Sequence, residues 1–117
     1  MSDAKLSVRA QVLLWAAQRA SAAVLAICVI VHLATIIYAV RSGLSAAEIL
    51  GRTHGNAAWA AFYAVFVIAV AVHGPIGMRN VLSETFGWRS SGLDWTVTAL
   101  GLAFALWGFR AVYAVFA

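Results

Sequence analysis

Acidic side chains are almost missing from this chain: there are four in 117 residues, Asp3, Glu48, Glu84 and Asp94. All four fall outside the long apolar runs. A small proton-coupled transporter usually carries its proton on an acid at membrane depth, so this distribution counts against that class. Cysteine occurs once, as Cys28 inside an apolar run, and one thiol builds no disulfide framework within the chain. Charge of either sign makes up only 10% of residues, against 64% hydrophobic. A soluble domain of this size has no interior able to hide that much apolar surface, so the chain reads as an integral membrane protein. The net charge of +4 raises a nucleic-acid reading. The basic residues are scattered near the ends of apolar runs, however, which is the pattern of membrane topology and not of a DNA footprint.

What the chain does have is length of apolar sequence. Residues 1–9 form a short polar segment with Lys5 and Arg9, and the run after it is too long, and too poor in a cleavage site, for a secretory signal. Residues 10–18 (AQVLLWAAQ) read as an amphipathic lead-in at the membrane interface. Three spans follow, at about 20–40, 57–78 and 95–116, the last interrupted only by Arg110. Each is close to the ~20 residues a helix needs to cross a bilayer. Polar connections at 42–56 and 79–94 carry the breakers Gly43, Gly51, Gly55, Gly87 and Gly92. The expectation is one all-α domain over 1–117, an up-down-up bundle of three transmembrane helices. Lys5, Arg9, Arg19, Arg79 and Arg89 fall on one side and Arg41 and Arg52 on the other, which predicts a cytoplasmic N-terminus.

The second span is the most informative stretch. His73 lies in an otherwise uncharged run and is followed by Gly74, Pro75, Gly77, Arg79 and Asn80. A metal-competent side chain at membrane depth is expensive and points to function, although a histidine satisfied by a neighbouring helix is the plainer alternative. Pro75 frees the carbonyl of Ala71 and favours a kink. Trp59, Phe62, Phe66, Ala69, His73 and Asn80 share one helix face, an aromatic wall leading to the imidazole. The glycines leave space beside that imidazole for something flat.

His32 is the second membrane histidine, on nearly the same face of the first span as Gln18, Ser21, Leu25 and Cys28. At 1.5 Å per residue it lies ~20 Å from Arg19, whereas His73 lies ~9 Å from Arg79 at the same end, so their depths differ by roughly 10 Å. Both axial nitrogens of one iron must sit at ~2 Å, so the two histidines of one chain do not share a metal. Each would need a partner histidine from another polypeptide or another copy of this chain. At the cytoplasmic end Trp15, Gln18, Arg19 and Ser21 are expected to gather with Arg79 and Asn80. An arginine beside a serine there suits a quinone carbonyl or a haem propionate, and a plain interfacial anchor is the alternative. Arg110, ~20 Å along the third helix, either snorkels to the far interface or pairs with a buried acid.

The run His73-Gly74-Pro75-Ile76-Gly77-Met78-Arg79-Asn80 resembles the HxxxGxR[HN] signature of the cytochrome b anchor subunits of succinate dehydrogenase and fumarate reductase. Gln18-Arg19-Ala20-Ser21 resembles that family's H-R-x-S-G at the start of the first helix. The resemblance implies that His73 is an axial haem b ligand and that Arg19, with Ser21 beside it, serves a quinone site and the haem propionates. It makes His32 similar to the first-helix ligand of di-haem anchors; cofactor contacts are expected at Gln18, Gly77, Arg79 and Asn80, and also at Arg110 if the buried acid it pairs with is a haem propionate. One or two haems b are implied, shared with a second membrane-anchor subunit, in a bacterial-type inner membrane. A flavoprotein and an iron–sulfur subunit would carry the dicarboxylate chemistry, leaving no catalytic residue in this chain. Gln18 stands where histidine is common, Ala22 replaces the glycine, and Trp15 stands where a serine often contacts quinone. Against this reading stand a haem-free structural anchor and, more distantly, a small transporter.

Overall fold

The computed structural model describes residues 6–117; Asp3 and Lys5, used above, lie outside the described residues. Four helices follow in order: α1 Val8–Arg41, α2 Ala46–Thr53, α3 Ala57–Phe86 and α4 Ser91–Phe116. Three of them, α1, α3 and α4, are long and apolar enough to cross a membrane. The chain is thus a multi-pass, all-helical membrane protein with the expected up-down-up course.

Helix ends and membrane edges turn out to be different things. The lead-in 10–18, expected at the interface, is continuous with the first span, and α1 begins where Ser7 Oγ accepts from the amide of Ala10 at 3.2 Å. Its 34 residues reach about 51 Å, matching the 52 Å long axis of the molecule. The expected 79–94 loop shrinks to 87–90, because α3 runs on to Phe86 and α4 starts at Ser91. Residues 79–86 hold neither glycine nor proline, so the helix runs on through them although they are polar. Gly87, at φ +67°, then ends α3 in the left-handed conformation. The polar connection 42–56 contains α2, which is fixed by a reciprocal capping box between Ser45 and Glu48.

Helix α3 is the central one. It packs against α1 on one side and α4 on the other, while α1 and α4 hardly touch. Only six of the described residues are buried: Ser21, Cys28, Ala69, Pro75, Leu93 and Val97. Lipid tails are as apolar as leucine, so close packing, not burial from water, joins such helices. Here glycine on one helix receives a side chain from the next. A Cβ on Gly74 would stand 2.8 Å from the Phe104 ring, one on Gly101 2.8 Å from Pro75 Cγ, and one on Gly108 2.6 Å from Val67 Cγ1. The helix stays continuous through Pro75. The Ala71 carbonyl freed by that proline faces Gly101, 3.2 Å from where a Cβ would be.

Candidate functional site

The contacts between α1 and α3 run antiparallel and set the depth of every polar group. Gln18 meets Gly77, Ser21 meets His73, and His32 meets Tyr63. From Ser21 to His32 is eleven residues, about 16 Å, and from Tyr63 to His73 is ten, about 15 Å. The histidines are therefore separated by more depth than the roughly 10 Å expected, and the conclusion that they do not share one metal stands more firmly. Among the described residues no group of three or more His, Cys, Asp or Glu could cage a metal. An iron on either imidazole would need its remaining ligands from elsewhere.

His73 is half-buried, with Nδ1 3.4 Å from Ser21 Oγ; that hydroxyl also donates to the Gln18 carbonyl at 3.1 Å. The space expected beside the imidazole is filled from within the chain. Phe104 of α4 lies over Gly74, and the Gln18 amide nitrogen would be 3.1 Å from a Cβ on Gly77. A flat group does lie close to Gly74, but it is a phenylalanine. With Nδ1 held at Ser21, His73 has its other ring nitrogen, Nε2, left to bind a ligand.

One turn nearer the α1 N-terminus a cavity of about 520 Å³ opens between α1 and α3, lined by Trp15, Gln18, Arg19, Ile76, Arg79 and Asn80, among others. The predicted cluster is thereby brought together, with Ser21 just below it. Arg19 is exposed, its guanidinium 5.3 Å from the centre of the Trp15 ring. Arg79 Nε donates to Asp94 Oδ1 at 3.0 Å, so part of its charge is already matched. Gln18 Oε1 is buried and accepts no hydrogen bond. A buried acceptor without a donor asks for a ligand or water, and the amide's orientation is itself assigned from its neighbours.

His32 sits far from this cleft, between two other cavities. One, of about 520 Å³, lies under α2 and includes Tyr38, Arg52 and Trp59; the other, of about 630 Å³, includes Phe66, Phe104 and Trp107. Its Nδ1 is 3.2 Å from Tyr63 Oη, and Tyr63 and Phe66 each meet the imidazole edge-on with centroids 5.7 Å apart. Arg110 is exposed and lines neither cavity, although Trp107, Gly108 and Ala111 line the larger one. It is not brought to His32 or to the cleft, as its place on the outer face of α4 explains. Asp94, Tyr63 and Phe104 were missed from the sequence. Asp94 alone had a signal, as the acid next to the third span on the same side as Arg79.

Three membrane-crossing helices, with a polar cleft at one end beside a half-buried histidine, define a membrane-anchor protein. The chain belongs to the family described as succinate dehydrogenase/fumarate reductase transmembrane subunit, which matches residues 2–110. No curated protein and no solved structure matches it significantly.

Proposed function

We propose that the chain is the haem b-binding anchor of a succinate:quinone oxidoreductase, passing electrons between a peripheral flavoprotein and iron–sulfur pair and membrane quinone. The observation that carries this reading is one cleft holding Trp15, Gln18, Arg19, Arg79 and Asn80 about one turn from His73. His73 would hold haem b through Nε2, with a further histidine supplied by a second anchor subunit. Bound haem supplies one-electron transfer. Arg19 donates charge-assisted hydrogen bonds to a quinone carbonyl or a propionate. Gln18 Oε1 accepts from the hydroxyl of the reduced quinol, and Trp15 stacks beside Arg19 to hold its guanidinium at the cleft mouth. The α1 N-terminus and the end of α3 project past the span on the cytoplasmic side of a bacterial-type inner membrane, where the peripheral subunits would dock. In the purified complex, Arg19→Ala lowers succinate-driven quinone reduction while soluble-dye reduction by the flavoprotein is kept. Loss of both activities together would point instead to failed assembly, and unchanged quinone reduction would remove Arg19 from the quinone site.

A further inference from the structure

Each membrane histidine has one hydroxyl beside its Nδ1, and the two hydroxyls differ in where their proton can go. We propose that these partners hold the histidines in opposite tautomers, so that His73 offers an Nε2 lone pair to haem iron and His32 does not. The proposal rests on the haem-binding reading above and decides how many haems this chain serves.

At His73 the partner is Ser21, which has one proton and two acceptors in reach. The Gln18 carbonyl is at 3.1 Å and His73 Nδ1 at 3.4 Å. The shorter contact takes the proton. Ser21 Oγ then has only lone pairs to turn towards the imidazole, so Nδ1 carries hydrogen and donates, and Nε2 is left with its lone pair. Ligating histidines use this arrangement: an acceptor behind the ring fixes the tautomer and makes the ligating nitrogen more basic. Ser21 is buried, so water does not compete for the contact.

At His32 the partner is the Tyr63 phenol, whose hydrogen-bond contact among the described residues is His32 Nδ1 at 3.2 Å. Thr35, one turn away, spends its own proton on the His32 carbonyl at 2.7 Å. A phenolic proton left unbonded at membrane depth costs free energy, so it goes to Nδ1. Nε2 of His32 then keeps its hydrogen and has no lone pair to give a metal. Tyr63 and Phe66, edge-on against the ring, hold it in that pose. His32 is a packed histidine bonded to a tyrosine, and Ser21 is a positioning residue for His73. Both tautomers are assigned from the partners' hydrogen-bonding capacity.

The test is pyridine-haemochrome quantitation of haem b per copy of this chain in the intact complex, with redox titration of the variants. The expected result is one haem per copy, kept in His32→Ala and lost in His73→Ala. Ser21→Ala keeps the haem but raises its midpoint potential, because an imidazole without its acceptor is less basic and stabilises ferric iron less. Ser21→Thr restores the wild-type potential. Two haems per wild-type copy would overturn the proposal, a count that decides even if His32→Ala does not assemble. So would an unchanged potential in Ser21→Ala. A wild-type complex with no haem fails differently, since it would overturn the haem-binding reading itself.

Discussion

Gln18 divides its amide between two tasks. Its nitrogen packs against the bare backbone of Gly77, while its oxygen lies buried at the cleft without a donor. A leucine has nearly the same shape and no orphan acceptor. Gln18→Leu is expected to leave thermal stability unchanged or raised, since an unsatisfied buried polar atom costs about 1–3 kcal/mol. It is expected to raise the KM for quinone by roughly fivefold or more, the size of one lost hydrogen bond of about 1 kcal/mol. An unchanged KM would remove Gln18 from the site. His73, His32, Arg19 and Ser21 were legible in the sequence because polar groups are rare in apolar runs and each must be accounted for. Tyr63, Phe104 and Asp94 were not, because which side chain meets which across two helices depends on register. Register here is set by glycines that receive a neighbour, and a glycine does not announce its guest.

At the scale of elements, α3 and α4 are held by shape. Gly101 and Gly108 sit one heptad apart on α4, with Phe104 between them filling the gap at Gly74. Pro75 is a rigid ring and Ala71 O is backbone, so neither yields easily to a methyl group placed on Gly101. Gly101→Ala is expected to cost about 1–3 kcal/mol by overpacking, read as a lower melting temperature and a lower yield of assembled complex. An unaltered melt would mean that α3 and α4 are not locked at this crossing. The three spans were legible because apolar length is a direct record of bilayer thickness. The helix ends were not: 10–18 and 79–86 lie outside the apolar runs of about 20 residues yet stay helical, since polarity marks the apolar run and glycine or proline governs where a helix stops. α2 escaped for a related reason, being a polar turn of helix whose capping box is its main signal.

For the whole molecule, the long axis of 52 Å exceeds the ~30 Å hydrocarbon layer, so one end of α1 and α3 stands clear of lipid. The count of basic residues predicts that the end holding the α1 N-terminus faces the cytoplasm. A reporter fused before α1 is expected to be active only as a cytoplasmic fusion; activity on the opposite face would invert the topology and separate the cleft from its proposed partners. The slender interior, with six buried residues among those described, also means that much of the apolar surface awaits lipid or another subunit. The central claim is that His73 carries haem b about one turn from the Arg19 cleft. The most direct measurement is a dithionite-reduced minus oxidised spectrum of membranes holding the complex, wild-type against His73→Ala. The expected result is a b-type band in the wild type that disappears in the variant while flavoprotein dye reduction persists. The same band in both would contradict the account.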